Sequence, residues 1–310
     1  MGRHRLREQL KSETEASDEG SLGPTDRADL VVDVSRLRKL NVRPSLPIYV
    51  SQLWARRHFT IADAKLRAFR TAKSYKLWRF WLVAQPLIDA AMYGFIFGFL
   101  LRTSRGIENF LGFLILGVTF FGLMTSLVNG GISLLQTSKN LMQTFAFPRA
   151  SLVFSQSLRY MIDNLPALII AILFAIGAQW EKALSWTIIL VVPLTLMMWT
   201  FGTGMMFFVA RLTGFVPDIR VFINLATRAW FFASGVFFSL DRFSHTPFLH
   251  EIFKLNPGYV FLTAVRDCVI YSTVPSVETW LYLLAWSVGA LLLGFLFFWQ
   301  AEDRYVNVRH

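Results

Sequence analysis

The sequence predicts an all-α membrane protein with six membrane-spanning helices. Hydrophobic residues make up 54% of the 310 residues and charged residues only 16%, a balance more apolar than that of an ordinary soluble domain. Several apolar runs reach about 18 residues or more, which is enough for a helix to cross a hydrocarbon core of about 30 Å. The predicted spans cover residues 77–101, 110–135, 152–177, 184–209, 219–240 and 279–300.

The charge distribution predicts the orientation of the chain. Residues 1–79 carry 17 Lys and Arg against 9 Asp and Glu, so the segment before the first span is expected in the cytoplasm. An even number of spans then places both termini on the cytoplasmic side of the plasma (inner) membrane. The predicted domains are a disordered cytoplasmic tail over 1–46, an interface region over 47–76, the six-span domain over 77–302 and a cytoplasmic tail over 303–310. No cleavable signal peptide is expected, because the N-terminal tail is polar.

The interface region mixes apolar residues with a high density of positive charge. The pattern predicts an amphipathic helix that lies in the plane of the lipid headgroups, with tryptophans at its flanks as anchors. A soluble linker helix is the alternative. The charges suit anionic lipids, so membrane lipids are expected as partners and nucleic acid is not. The basic residues that define this helix are Arg56, Arg57, Arg67 and Arg70.

Motifs for catalysis and metal binding are missing from the sequence. There is no G-x-x-x-x-G-K-[ST] motif, so the chain is not expected to hydrolyse ATP by that route. The five histidines lack metal-ligand spacing, and His245 and His250 are expected in an exposed loop rather than a zinc site. The single cysteine, Cys268, allows no internal disulfide. We therefore expect no catalytic residue, no metal and no cofactor on this chain.

Ionisable and aromatic residues inside the predicted spans are candidates for the lining of a hydrated path. A charged group is costly in lipid and usually faces a protein or water-filled interior. Simpler explanations stay open: Asp89 could repair the helix break at Pro86, and the aromatic rings could face lipid or other helices. Arg159 and Asp163 could pair at i, i+4, or Arg159 could extend to the headgroups. The candidate lining residues are Asp89, Arg228, Trp199, Trp230 and Phe231.

The stretch "SKNLMQTFAFPRASL", residues 138–152, is unusually apolar for a connection between two spans. Ser138 is a suitable N-cap, and "KNLMQTF" can form two helical turns with an apolar face. Phe147 precedes Pro148, which disfavours a helical conformation at residue 147 and predicts a sharp break. An exposed apolar face of this kind predicts a protein partner that covers it. The residues of that face are Leu141, Met142 and Phe145.

The loop 241–278 predicts two short helices before the last span. The segment "PFLHEIFKL" is the first, and the second begins at Pro257 with Asn256 as its N-cap. An apolar run of about 13 residues is too short to span and suits a re-entrant or interfacial helix. Arg266 and Asp267 are expected on its polar face. The alternative is a single amphipathic helix on the outer surface.

Over residues 50–305 this layout resembles the permease subunits of ABC type-2 exporters, in particular those that export O-antigen, teichoic acid or galactan. The segments that carry the resemblance are "RRHF…KLWRFWLVAQPLIDAAMYGFIFGFLL", "KNLMQTFAFPRASL" and "NPGYVFLTAVRDCVIY". One departure is Lys76-Leu77, where the family often has Leu-Gly before the tryptophan. The long basic tail and "WARRHF" are similar to actinobacterial members that export galactan linked to a polyprenyl lipid.

The resemblance implies a homodimer of six-span subunits with two copies of a separate ATPase subunit, which binds ATP and Mg. It also implies a short cytoplasmic coupling helix that docks on the ATPase and external helices that gate the exit. The implied coupling residues are Leu141, Met142, Phe145, Phe147, Pro148 and Arg149. The implied gate residues are Asn256, Pro257, Gly258, Tyr259, Arg266 and Asp267.

The expected function is therefore the channel-forming subunit of an ATP-driven exporter that moves a lipid-linked polysaccharide, galactan for cell-wall assembly, out of the cytoplasm. An ABC type-2 exporter of a lipid or drug is the first alternative. An ATP-independent channel or carrier and a membrane glycan transferase are further alternatives.

Overall fold

A computed structural model describes residues 44–73, 81, 84, 88–89, 91–96, 109–145, 147–179, 185–238 and 247–305. The side chains of residues 69–73 and 247–250 lie outside the description. So do residues 1–43 of the predicted tail, most of the first predicted span with Pro86, and residues 306–310. The described residues belong to one compact unit, residues 43–310.

The regular elements of the described residues are helices, which confirms the all-α class. The described residues between 81 and 96 are helical. A 3₁₀ helix over Trp186–Leu190 leads into the helix that begins at Val191. The helices are α1 Leu46–Ala55, α2 Arg57–Lys73, α3 Phe110–Asn129, α4 Leu134–Thr137, α5 Lys139–Thr144, α6 Ala150–Gly177, α7 Val191–Phe215, α8 Ile219–Ala233, α9 Pro247–Lys254, α10 Pro257–Val269 and α11 Val277–Trp299.

Four of the described helical stretches are long and apolar enough to cross a membrane: α3, α6, the stretch Trp186–Phe215 that includes α7, and α11. This confirms a multi-span membrane protein. Helix α8 has 15 residues, or roughly 22 Å at 1.5 Å per residue, which is shorter than the hydrocarbon core. It is followed by a turn in which Gly235 has a φ of +62°. The count of six spans stays a prediction.

Helix α3 ends at Asn129, six residues before the predicted end of its span, because the chain passes very close to α7. A Cβ at Gly131 would lie 2.6 Å from the Met206 carbonyl oxygen, so only glycine fits there. Ser133 then takes a positive φ of 59° and α4 begins. The chain thus turns sharply into the 138–152 stretch.

The packing of the described residues is built around α7. Helix α11 packs along it, and Gly204 and Gly294 let the two backbones approach so closely that a Cβ on either glycine would overlap the other helix. Helices α3 and α6 cover α7 and each other, α2 packs on α6, and α10 lies under α3. The C-terminal end of α11 meets α1, since Trp299 Nε1 donates to the Pro44 carbonyl at 3.3 Å.

Candidate functional site

The apolar face predicted for the 138–152 stretch is divided between the interior and the surface. Met142 is 4% exposed and Phe147 is 7% exposed, so the expectation that Met142 belongs to an exposed face is wrong. Phe145 is 59% exposed, and Leu141 is half-buried. Met142 lies in the core of this chain, while Phe145 presents its ring to the outside.

Helix α5 begins at Lys139, as predicted, but the expected side-chain cap at Ser138 is wrong. Ser138 has φ −98° and ψ 7° because it also ends α4, and its hydroxyl makes no capping hydrogen bond. An N-cap side chain normally reaches back from an extended backbone conformation. The hydroxyl is instead buried without a hydrogen-bond partner among the described residues.

The predicted break after α5 is present. Phe145 has extended backbone dihedrals, φ −124° and ψ 133°, and α6 begins at Ala150 after the buried Pro148. The Phe147 ring lies 6.0 Å from that of Phe59 on α2, centroid to centroid. The stretch therefore rests on the interface region on one side and leads directly into α6.

Arg149 is held by Glu302, which lies just beyond α11. The Glu302 Oε1 atom accepts hydrogen bonds from the Arg149 backbone N–H at 2.9 Å and from Nη1 at 3.2 Å. Its Oε2 atom accepts from the Tyr49 hydroxyl at 2.8 Å, and that hydroxyl accepts from the Ala150 N–H at 3.0 Å. We call Tyr49, Arg149 and Glu302 the Glu302 junction.

Glu302 is 1% exposed, and burial raises the pKa of its carboxyl while the hydrogen bonds and charge of Arg149 lower it. The described groups that hydrogen-bond to the carboxyl group are all donors, an arrangement that suits the ionised form. Sequence reasoning missed Tyr49 and Glu302. The available signal was an acidic residue directly after a long apolar helix, where a charge must find a partner.

The interface region forms two helices, because the chain breaks at Arg56 between α1 and α2. Arg56 and Arg57 are exposed, and the Arg57 guanidinium lies 5.2 Å from the centre of the Trp54 ring. Arg67 forms an ion pair with Asp63 at 2.9 Å, and Asp63 also accepts from the Ser155 hydroxyl of α6 at 2.5 Å. The Arg70 side chain lies outside the described residues.

The two short helices predicted before the last span are present as α9 and α10, so the alternative of a single amphipathic helix is wrong. Asn256 caps α10 by accepting from the Gly258 N–H at 3.0 Å, and Pro257 is the first helical residue. The Asn256 amide also donates to the Ala233 carbonyl at 2.9 Å and accepts from Trp230 Nε1 at 2.8 Å. Asn256 thus fixes α10 to the end of α8.

Close packing continues at the two residues that follow Pro257. A Cβ at Gly258 would lie 2.7 Å from the Ser234 hydroxyl and 3.0 Å from the Trp230 ring, so glycine is needed for this approach. The Tyr259 ring lies 5.9 Å from that of Phe253 on α9. Three of the predicted gate residues, Asn256, Gly258 and Tyr259, therefore lie at the contact between α8, α9 and α10.

The expectation that Arg266 marks a polar face of α10 is wrong, because its side chain is buried in the protein. It is 2% exposed, and its guanidinium donates to the carbonyls of Phe113 at 3.2 Å, Gly235 at 2.9 Å and Val236 at 3.0 Å. The guanidinium also lies 3.4 Å from the centre of the Phe113 ring. Gly117 has no side chain, and the Arg266 guanidinium occupies the space that a Cβ would fill there. The sequence shows that Arg266 is charged. It could not indicate that the guanidinium would hydrogen-bond to backbone carbonyls of two other segments.

Asp267 is half-buried beside a cavity of about 230 Å³, and burial raises the pKa of its carboxyl to about 6, against the opposing charge of Arg266. The cavity lies between α3 and α10. Its lining residues are Phe113, Phe238, Tyr259, Thr263, Arg266, Asp267 and Tyr271.

The residues predicted to line a channel have different environments in the single chain. Trp199 Nε1 donates to the Ser157 carbonyl at 3.2 Å, which ties α7 to α6. Trp230 and Phe231 both contact the Phe121 ring, at 4.9 and 5.4 Å. Arg228 is exposed and Asp89 is half-buried. Their role in a channel stays a prediction.

The other predicted pair of ionisable residues within a span is present. Arg159 and Asp163 form an ion pair at 3.3 Å on α6, which confirms the i, i+4 pairing.

Comparison with known proteins identifies the family to which the chain belongs. The sequence model of the ABC-2 type transporter family matches residues 60–270. The chain is 21% identical to the O-antigen export system permease protein RfbA of Myxococcus xanthus over 229 residues, which are 73% of this chain and 86% of the relative. It is 25% identical over 216 residues to a protein of the same name from Klebsiella pneumoniae, 69% of this chain and 80% of the relative.

The matched region covers more than half of the chain and includes the 138–152 stretch, α8, α9 and α10. Permeases of this family have no ATPase site of their own and pair with a separate ATPase subunit. The chain therefore belongs to the ABC-2 type transporter family, as a membrane permease subunit.

Proposed function

We propose that this chain forms half of a channel through which a lipid-linked polysaccharide leaves the cytoplasm, driven by a separate ATPase subunit. The observation that carries the proposal is the similarity to two O-antigen export permeases across about 70% of the chain. The finer proposal is that the glycan is a galactan destined for the cell wall. In this proposal two permease chains and two ATPase subunits form the transporter, with ATP and Mg bound by the ATPase.

The proposed contact with the ATPase is residues 138–149, the part of the 138–152 stretch that precedes α6, which we call the 138–149 stretch. It combines an exposed aromatic ring, Phe145, with a buried support formed by Met142 and Phe147. An exposed ring on a well-packed base is the arrangement of an interface anchor that keeps its shape before the partner arrives. Leu141 and Arg149 flank this anchor. Helix α1 and the end of α11 lie at the same end of the described structure, which supports a common cytoplasmic side for both termini.

The gate is proposed at the other end, where α9 and α10 precede α11. Asn256, Trp230 and Arg266 hold α10 against α8 and α3, so a movement of α8 would reach α10 directly. Asp89, Arg228, Trp199, Trp230 and Phe231 remain the proposed lining of the path, and aromatic faces suit sugar rings without requiring one hydroxyl pattern. An exporter of a lipid or drug on the same fold is the remaining alternative.

The test of the ATPase contact is the variant Phe145→Asp, studied in the native host. The variant is expected to insert normally, to lose the co-purifying ATPase and to stop export, because a charge would be placed in a desolvated contact. The loss of association is expected to exceed about tenfold, which corresponds to about 1.4 kcal/mol.

Two control variants separate the contact from general damage to the stretch. Phe145→Leu keeps the position apolar and should retain most of the binding. Gln143→Glu adds a negative charge to a neighbouring exposed position and should reduce binding much less. Normal ATPase recovery and export in Phe145→Asp would contradict the assignment. The galactan proposal has its own measurement: cells depleted of this chain should accumulate a galactose-containing lipid-linked glycan inside.

A further inference from the structure

The Glu302 junction connects three parts of the chain that are far apart in sequence. Tyr49 belongs to α1, Arg149 ends the 138–149 stretch, and Glu302 follows α11. The contacts link residues separated by 253 and 153 positions. The Glu302 backbone N–H bonds locally to the Trp299 carbonyl, but among the described residues the hydrogen bonds of its carboxylate reach only these distant partners.

The junction supplies the start of α6 with the cap that its own sequence lacks. Arg149 occupies the N-cap position and makes no side-chain cap hydrogen bond. The N–H groups of Arg149 and Ala150 are bound by the Glu302 carboxylate and the Tyr49 hydroxyl instead. A negative charge at a helix N-terminus also interacts favourably with the helix dipole. The first turn of α6 is therefore fixed by residues that belong to α1 and to the end of α11.

The surroundings make this connection stiff. The Tyr49 ring lies 6.0 Å from the Phe295 ring of α11, and Tyr305 stacks on Phe298 at 4.5 Å. Helix α4, directly before the stretch, is attached to α7, since the Gln136 amide donates to the Thr213 carbonyl at 3.3 Å. A displacement of Phe145 would consequently reach α7 through Gln136 and reach α1 and α11 through Arg149.

We propose that Glu302 is a positioning residue for energy coupling: it makes α1, the 138–149 stretch and α11 move together when the ATPase subunit displaces the stretch. This inference rests on the proposed function, because it assumes that the ATPase contacts Phe145. Without the carboxylate, the stretch would still bind the ATPase but would move without carrying α1 and α11. The result would be ATP hydrolysis with little transport.

The test uses the complete transporter in inside-out membrane vesicles from the host. The vesicles carry their own lipid-linked glycan, labelled by growth on radioactive galactose. Two quantities are measured for each variant: ATP hydrolysed, and label moved into the lumen in the presence of ATP. Glu302→Gln is expected to hydrolyse ATP within about twofold of the wild-type rate and to move about tenfold less label per ATP, a loss in the usual range of coupling between sites.

Tyr49→Phe provides a second variant in case Glu302→Gln folds poorly. It removes one hydroxyl but retains the ion pair of Arg149 and Glu302, so a smaller loss of transport per ATP is expected. The double variant Tyr49→Phe/Glu302→Gln should resemble Glu302→Gln alone, because both changes interrupt the same connection.

The matched control is Asn109→Ser. The Asn109 amide is buried and donates to the Ala175 carbonyl at 3.0 Å, at the opposite end of α6 from Arg149. Serine can still cap α3, so the loss of this bond should lower the unfolding temperature of the complex but leave label moved per ATP unchanged.

Unchanged transport per ATP in Glu302→Gln, or an equal loss in Asn109→Ser, would overturn the positioning role. Wild-type vesicles that recover the ATPase but move no label would instead contradict the proposed glycan substrate and this inference with it. Failure of the ATPase to co-purify with the wild-type chain would contradict the proposed partner. These results are distinct from one another.

Discussion

At the scale of single residues, Arg266 shows how a charged group can hold a membrane protein together. Its guanidinium is buried and binds three backbone carbonyls, one on α3 and two in the turn after α8. Burial lowers the pKa of this guanidinium to about 9, so the group stays protonated near neutral pH. These three hydrogen bonds make Arg266 the polar centre of the contact between α3, the turn after α8, and α10.

Replacement of Arg266 is therefore expected to be severe. Arg266→Met keeps much of the side-chain volume but leaves three buried carbonyls without that donor, at about 1–3 kcal/mol for each group that stays unsatisfied. The unfolding temperature of the purified protein in detergent should fall strongly, and Arg266→Lys should recover only part of it, because an ammonium group cannot reproduce the planar fork. The exposed Arg220 provides the control: Arg220→Met should change the unfolding temperature little. Equal effects at the two positions would contradict this account.

The same residues show what local sequence patterns can predict. The start of α10 was predictable because Asn256 and Pro257 are local signals for a helix N-terminus. The destination of Arg266 was not, because a charge in an amphipathic pattern usually faces water and nothing in the sequence pairs it with Phe113 or Gly235. The Glu302 junction was hidden for a similar reason: Tyr49 and Arg149 are 253 and 153 positions from Glu302, and hydropathy gives no register between distant helices.

At the scale of helices, the pair α7 and α11 depends on two glycines that face each other. Gly204 and Gly294 allow backbone contact, and the small Ala290 extends the same contact surface. In a membrane, helix association depends on such close packing because lipid tails offer an equally apolar environment to a separated helix. Helix existence was predictable from hydropathy, but this crossing point required the positions of both helices.

A pair of glycine substitutions on α11 tests that crossing. Gly294→Ala would place a methyl group against the backbone of Gly204, so the helices must separate and packing is lost along both of them. We expect a destabilisation of about 1–3 kcal/mol, measured as a lower unfolding temperature in detergent. Gly289 lies on the same helix and a Cβ there meets no atom within 4 Å. Gly289→Ala should be neutral or slightly stabilising, because alanine has the higher helix propensity. Similar losses for the two variants would show that the crossing is not specific.

At the scale of the whole molecule, α8 leaves a surface that one chain does not cover. Val221, Phe222 and Leu225 are 68%, 70% and 65% exposed, and the apolar surface could face lipid. Asn224 and Arg228 are exposed on the same helix, however, and a charged side chain in a membrane segment is expected to face protein or a water-filled interior. A second copy of the chain, with a hydrated path between the two, would satisfy both groups of residues.

This arrangement predicts the composition of the transporter. Two versions of the chain with different affinity tags, produced together in the native host, should be recovered together when either tag is captured, because each transporter would contain two permease chains. The ATPase subunit should be present in an equal molar amount, as measured by quantitative mass spectrometry of the purified complex. Mixing separately produced versions after solubilisation is the control and should give little exchange if the interface is stable. Recovery of only the captured version, together with one ATPase subunit for each chain, would indicate a single permease and would leave Arg228 without the aqueous path proposed for it.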